Sequence, residues 1–286
     1  MPALRTHEIP KRDLQFDFSK VDLLRWHGLG TIASHWFNVQ SLMFPQGERY
    51  FIRSVRRYRD RIRDPQLQEQ IAGFIAQEAM HGREHDAYNA ALARAGYPVA
   101  WMERWVSVLI ALAEKAQPPS ARLAETAGLE HLTAIGAEVL LSNDDAMKDC
   151  DPTMAQLWRW HAVEETEHKA VAFDVHREIM GRGPFAWLQR SWTLLVGSIG
   201  MTFTTWLFLL VAAWRTRTLF DLRGWGRLLW ALWIYPGATR RQVIPYFKYF
   251  SPWFHPWNSD NYEQVLRWRQ GQISPAPGAE PLLQRG

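Results

Sequence analysis

An Asp-Pro pair followed thirteen residues later by a Glu-x-x-His motif occurs twice in this chain. The two copies are Asp64-Pro65 with Glu78 and His81, and Asp151-Pro152 with Glu165 and His168. Proline suits the first turn of a helix and aspartate suits the cap before it, so each pair predicts a helix start. A Glu and a His three residues apart lie on one helix face and can reach the same ion. One such motif is weak evidence, but these two share an offset and a start signal, which indicates a carboxylate-bridged two-metal site.

The remaining start and stop signals predict an all-α chain. Helices are expected over 21–60 (with a break near 45–47 as an alternative), 65–95, 100–116, 120–141 with Ser120 as its cap, and 152–180. The segment 142–150 is rich in Asn and Asp and is predicted to be a loop. The chain shows no strand-like alternation bounded by turn signals in this region.

Two further helices should each add one carboxylate, as in four-helix bundles with a two-metal core. Antiparallel neighbours place facing residues roughly 25–35 positions apart, and Glu48 lies 30 residues before Glu78. Glu130 and Glu138 both fit before Glu165. Glu130 is favoured because it lies, like Glu48, about twelve residues before its helix ends. The interval between Glu78 and Glu130 holds the extra helix 100–116, which is typical of the one long crossover in ferritin-like bundles.

The candidate set serves both as metal ligands and as catalytic residues. Its six members are Glu48, Glu78, His81, Glu130, Glu165 and His168. Four carboxylates and two imidazoles suit two divalent cations, and the oxygen and nitrogen donors favour iron, with manganese as the alternative. His161 shares a helix face with Glu165 and is either a seventh ligand or a residue packed behind the ligands. His85 is expected to orient a ligand, whereas Glu84, Glu164 and Glu167 should be solvated or lie behind the ligands.

The composition changes after residue 184. Residues 191–214 carry no formal charge and are long enough to cross a bilayer. Arginines are plentiful on both sides of this segment, which favours a buried or interface-lying helix over a membrane span. The stretch 228–235 is too short to span, and the proline-rich 251–257 is predicted to be an extended strap. The chain is therefore divided into a ferritin-like di-metal bundle, 1–184, and a hydrophobic, Trp-rich helical extension, 185–286, packing on the bundle or on a membrane surface.

Charge and cysteine content indicate which partners and which cellular compartment to expect. A net charge of +4 is modest, so no nucleic-acid partner is expected. The single cysteine, Cys150, allows no internal disulfide and fits a reducing compartment. The N-terminus lacks the pattern of a secretory signal. We therefore expect the protein in the cytoplasm, either free or associated with the inner membrane. The sequence does not indicate an oligomeric state.

Four segments around the candidate ligands resemble a bacterial family labelled "predicted metal-dependent hydrolase". They are Phe44-Pro45-Gln46-Gly47-Glu48, Gln77 to His85, Glu130-His131-Leu132-Thr133-Ala134, and Trp160 to Lys169; the likeness extends to Phe254-His255-Pro256-Trp257. The resemblance implies a ferritin-like core and, by the family's label, hydrolysis. The spacing of His161, Glu165 and His168 also resembles the three-ligand helix of di-iron arylamine N-oxygenases.

The predicted function is O2-dependent oxidation at a di-iron centre. Carboxylate-held metal pairs in helix bundles resemble ferritin-like oxygenases, although two-metal sites can also activate water for hydrolysis. Metal-dependent hydrolysis is the alternative, and non-enzymatic metal binding is a third. The substrate is expected to be an apolar small molecule because the stretch 191–214 is uncharged and the region 186–236 is rich in tryptophan. The chain shows no nucleotide-binding loop, so a redox partner would supply any electrons.

Overall fold

The computed structural model describes residues 7–271, and these form an all-helical structure without strands, which confirms the predicted class. Its α-helices are α1 Thr31–Ser41, α2 Phe44–Arg56, α3 Pro65–Arg94, α4 Val99–Ala116, α5 Pro119–Ser142, α6 Pro152–His168, α7 Val171–Met180, α8 Pro184–Arg215, α9 Leu222–Trp233, α10 Ala238–Lys248 and α11 Tyr262–Arg269. Short 3₁₀ turns cover Arg59–Arg61, Asp144–Met147 and Pro256–Asn258.

The two Asp-Pro signals start helices α3 and α6 as predicted. The Asp64 side chain accepts a hydrogen bond from the backbone N–H of Gln66, and Asp151 accepts one from that of Thr153, each at 2.9 Å. Each proline occupies the first helical position, where its missing N–H would have had no helical partner. The repeated pattern therefore places each Glu-x-x-His motif thirteen residues after the first residue of its helix.

Four details of the predicted helices are wrong. Residues 21–30 are not helical, and the break falls between α1 and α2 at Leu42 and Met43, because Pro45 fits within the first turn of α2. Helix α5 is capped by Pro118 and starts at Pro119, so Ser120 lies inside it and makes no cap hydrogen bond. The helix predicted over 152–180 is interrupted at residues 169–170.

Helix α5 lies at the centre of the molecule. It packs against α2, α6, α7, α8 and α10. Gly128 permits the approach of α8, since a Cβ added there would meet the Leu194 Cα at 3.1 Å. A side chain at this position would push α8 away, so the residue type itself sets the spacing.

Two apolar clusters flank the middle of helices α2, α3, α5 and α6. One contains Leu42, Tyr88 and Trp160, and the other contains Ile71, Phe74 and Leu123. The candidate ligands lie between these clusters, where Trp160 packs edge-on against His81 and Phe74 against His168. The site is thus enclosed by large side chains above and below.

The described part of the predicted N-terminal arm is held against α3 and α6. Arg12 contacts Glu164 and Glu167, and the backbone N–H of Phe16 donates to Glu84. The segment 251–255 is irregular and precedes a 3₁₀ turn, consistent with a non-helical strap. The first six residues of the arm and residues 272–286 of the predicted extension lie outside the described residues. The division at residue 184 stays a prediction, although α8 begins there.

Candidate metal centre

The structure brings all seven candidate ligands together. Glu48 comes from α2, Glu78 and His81 from α3, Glu130 from α5, and His161, Glu165 and His168 from α6. Each is at most 4% exposed. Their convergence from four helices agrees with the predicted arrangement, while their role as ligands stays a prediction.

His168 faces three carboxylates. Its Nε2 atom lies 3.1 Å from Glu78 Oε1, 3.3 Å from Glu130 Oε2 and 3.6 Å from Glu165 Oε2. The donor atoms of Glu78, Glu130 and His168 all lie within 4.8 Å of one another, close enough to hold one ion. This group forms one end of the cluster.

His81 and His161 form the other end. Their rings stack with centroids 4.0 Å apart, and the donor atoms of His81, His161 and Glu165 also lie within 4.8 Å of one another. Glu165 Oε1 lies 3.1 Å from His161 Nε2 and 3.7 Å from His81 Nδ1. Glu48, Glu78 and His81 form a further group of the same size. Glu165 therefore presents one oxygen to each end of the cluster.

Many buried polar atoms of the cluster have no hydrogen-bond partner. They are both carboxylate oxygens of Glu48, Glu78 and Glu130, Oε2 of Glu165, both ring nitrogens of His81, and Nε2 of His168. A buried polar atom without a partner is costly, and native proteins contain few of them. Nine of these ten atoms face the cluster and His81 Nε2 faces Glu164, and such a convergence fits a site built for cations.

The charges of the cluster also favour the binding of cations. Burial, together with the neighbouring carboxylates, raises the pKa of Glu48 and that of Glu130 well above the ordinary value. Burial also opposes ionisation of Glu165, but His168 and His161 hold the Glu165 pKa well below its usual range. Close like charges cannot all ionise without a counter-charge. Cations in the cluster would allow all four carboxylates to be ionised.

A directional chain of hydrogen bonds fixes His161. Asn89 donates through Nδ2 to the Ser41 carbonyl, so its Oδ1 accepts the Ser41 hydroxyl proton at 2.8 Å. Ser41 Oγ then accepts from His85 Nδ1, and His85 Nε2 accepts from His161 Nδ1, both at 2.8 Å. The Nε2 of His161 is left with a lone pair directed at the cluster. This polarity favours His161 as a seventh ligand and agrees with the predicted orienting role of His85.

His168 is fixed in a similar way. Gln77 Nε2 donates to the Pro10 carbonyl and to Glu167, so its Oε1 is free to accept from His168 Nδ1 at 2.9 Å. In a neutral His168 the Nε2 lone pair would therefore also point into the cluster. Without metal, burial opposes protonation of this ring, but Glu165, Glu130 and Glu78 raise the His168 pKa well above its usual value, so a cation would take the place of that proton. His81 is turned the other way, with Nε2 lying 3.1 Å from Glu164 Oε2 and Nδ1 facing the cluster.

The competing assignment of Glu138 gains no support from the geometry. Glu138 is half-buried and belongs to no described group of close metal-binding side chains, whereas Glu130 lies in the cluster. Glu84, Glu164 and Glu167 are buried rather than solvated, and each is paired with an arginine. His131 turns away from the cluster, with its Nε2 3.1 Å from the Pro245 carbonyl.

Sequence reasoning missed the residues that position the cluster. Ser41, Asn89, Gln77 and Arg12 make their contacts across separations of 44 to 155 residues, so no local motif marks them. Gly82 was also missed. A Cβ on this residue would lie 3.3 Å from Glu48 Oε2, so glycine leaves room for that carboxylate.

A large apolar cavity reaches the cluster from one side. It has a volume of about 820 Å³ and contacts His161 and Glu165. Apart from these two residues its lining is aromatic, aliphatic or uncharged polar, with no Arg or Lys. Phe44 lines the cavity and packs against the rings of His85 and His161. An uncharged molecule could thus approach the cluster on the His161 side.

One family model matches residues 10–260 of the chain, and its description is "Predicted metal-dependent hydrolase". Neither a search of curated proteins nor a search of solved structures gives a match.

Proposed function

Because the chain belongs to the family of predicted metal-dependent hydrolases, we propose that the buried cluster is a two-metal centre in a ferritin-like bundle of α2, α3, α5 and α6. The ten partnerless polar atoms are the main support for this proposal. The donor set is all carboxylate and imidazole, which suits iron or manganese better than a metal that prefers thiolates.

The geometry suggests how the ligands are shared. Glu48, His81 and His161 would hold one ion, and Glu130 and His168 the other. Glu165 would bridge them, since Oε1 faces His81 and His161 while Oε2 faces His168. Glu78 would be the second bridge, because it belongs to a close group at each end of the cluster. Four carboxylates then balance two divalent cations.

We assign O2-dependent oxidation of an apolar substrate to this centre. The observation that carries the apolar substrate is the cavity that ends at His161 and Glu165. Oxidation is favoured because the donors come from four helices, as in the di-iron carboxylate proteins of the ferritin-like class. Two bound iron ions would supply dioxygen binding and electrons, with a separate reductant restoring them. The protein's part is to hold the substrate against the His161 side and to keep bulk water out with Phe44, Trp158 and Trp36.

Hydrolysis is the second candidate, and the family description favours it over oxidation. It needs water and a polar scissile group beside the metals. The cavity lining offers Gln40 and Thr133 as polar contacts but no arginine or lysine for a charged substrate. A hydrolase with this cavity would therefore act on an uncharged ester or amide.

The test is anaerobic loading with ferrous iron, followed by metal counting and exposure to oxygen. Two irons per chain, oxygen uptake and a new ferric absorption band would support oxidation. The same loaded protein is assayed without oxygen on uncharged long-chain esters. Ester cleavage by a metal-loaded protein that consumes no oxygen would replace oxidation by hydrolysis, and failure to bind metal stoichiometrically would remove both proposals.

A further inference from the structure

Helices α8, α9 and α10 expose an unusually apolar surface. Large side chains that are more than half exposed include Ile199, Phe203, Phe220, Leu222 and Ile244. Soluble proteins seldom expose so many neighbouring apolar groups without a partner for them. We call this surface, formed by the exposed apolar residues of α8, α9, α10 and the connection between α8 and α9, the apolar face.

Helix α8 is held along its length rather than free to leave the protein. It is the one helix among the described residues that is long and apolar enough to cross a membrane, yet only 28% of its most apolar window is buried. Ala186 near its start, Leu194 and Phe208 within it, and Ala213 near its end are all buried against the rest of the molecule. A helix fixed at both ends suits a position in the plane of a membrane surface.

The charge around the apolar face is almost entirely positive. Between residues 184 and 248 the only acidic residue is Asp221, and seven basic residues are exposed. These are Arg215, Arg217, Arg223, Arg227, Arg240, Arg241 and Lys248. Basic side chains around an apolar surface complement anionic lipid headgroups, and tryptophans such as Trp214 and Trp230 favour the interface between headgroups and chains.

The apolar cavity opens on this same face. Its outer lining includes Ile199 and Phe203 of α8 and Phe247 of α10, which are 59–65% exposed. Its inner end contacts His161 and Glu165. An apolar path therefore runs from the apolar face to the candidate metal centre.

From these observations we propose that the apolar face docks on an anionic lipid bilayer and that the cavity takes up a hydrocarbon chain from it. At the inner end of the cavity, where the hydrocarbon chain would meet the metal centre, the inference rests on the proposed function. The class of substrate is a lipid with a long, uncharged chain, and its polar end stays near the arginines at the surface.

Cavity occupancy is tested with cis-parinaric acid, a fatty acid that becomes fluorescent in an apolar site. Gly136 lines the cavity and Gly200 does not, and a Cβ added at either position meets nothing within 4 Å. Gly136→Leu is expected to weaken probe binding at least tenfold, with Gly200→Leu as the matched control. Equal binding by the wild-type protein and both variants would overturn the cavity assignment.

Membrane docking is tested by flotation with phosphatidylcholine vesicles, with and without phosphatidylglycerol. The wild-type protein should bind the anionic vesicles at least tenfold better than the neutral ones. The double variant Phe220→Asp and Leu222→Asp should lose this binding, while Leu266→Asp on α11 should keep it. Equal binding to both vesicle types, or none to either, would overturn the anionic bilayer as the occupant.

Iron content is counted for every variant, since none of the changed residues contacts the metal centre. A full iron content with no probe or vesicle binding would overturn this inference and leave the proposed function standing. Probe and vesicle binding by a protein that holds no iron would instead overturn the proposed function.

Discussion

The metal-centre cluster and the apolar face depart from the usual pattern of a folded protein in opposite directions. The cluster buries ten polar atoms without partners, and the apolar face exposes large hydrophobic side chains without cover. Either departure alone would be costly to the protein. The two proposals give each departure a partner of matching chemistry: cations for the cluster and hydrocarbon for the apolar face. The cavity connects the two regions, so a single substrate could use both.

The largest expected effect comes from removing the proposed bridge Glu165. Glu165→Ala takes one oxygen from each end of the cluster, so the protein should lose at least one of its two metals. Glu138→Ala, which removes a carboxylate of the same helix bundle outside the cluster, should keep both. Metal counting after dialysis checks the pair. Unchanged stoichiometry in Glu165→Ala would contradict the assignment of bridging ligands.

The contact between α1 and the C-terminal end of α8, the longest helix of the apolar face, should weaken in acid. His35 on α1 lies 2.9 Å from the Thr216 hydroxyl just after α8, and burial lowers its pKa to about 4. The unfolded chain takes up this proton near pH 6.5, so stability is lost as pH falls from about 6.5 to 4. The loss from His35 alone should approach about 3 kcal/mol.

Urea denaturation of the metal-free protein at pH 7 and pH 4.5 measures this loss. His27, whose pKa burial also lowers to about 4, contributes in the same window. His35→Gln should therefore remove only part of the pH dependence. The same pH dependence in the variant and the wild-type protein would show that the His35 pKa does not differ between the folded and unfolded states.

The sequence predicted the cluster better than the chain segments around it. Glu48, Glu78, His81, Glu130, Glu165 and His168 could be placed because helix geometry converts spacing into position. Ser120 was assigned as a cap because cap preference is local, but the adjacent Pro118-Pro119 pair starts the helix earlier. Gln77 and Asn89 could not be found, since their partners are fixed only by the packing of distant helices. The cavity likewise depends on how α8 and α10 pack, which no periodicity reveals.

His85 should affect metal affinity without changing the number of metals. His85→Phe keeps an aromatic ring but breaks the hydrogen bond to His161 Nδ1. Loss of such an orienting bond typically weakens metal binding about 10–100-fold. Chelator competition measures the affinity, and His131→Phe, a buried histidine directed away from the cluster, is the control. A fall from two metals to one would show that His85 is itself a ligand, as its grouping with Glu48 and His161 also allows.

The smallest expected effect is a gain in stability when a cluster carboxylate is neutralised without metal. Burial and the neighbouring carboxylates raise the Glu48 pKa, so the ionised form is unfavourable in the empty protein. Glu48→Gln should therefore raise the melting temperature of the metal-free protein, by about 2 °C for a gain of about 1 kcal/mol. The gain should be present at pH 8 and fade toward pH 5, because the wild-type carboxyl group is then protonated and resembles the amide. The metal-loaded variant should be less stable than the metal-loaded wild-type protein, since a ligand is lost. Calorimetry on the metal-free and metal-loaded forms, with Glu138→Gln as the control, measures whether the change in melting temperature reverses its sign when metal is bound. A variant that is destabilised equally with and without metal would mean that the Glu48 carboxylate serves packing rather than cation binding.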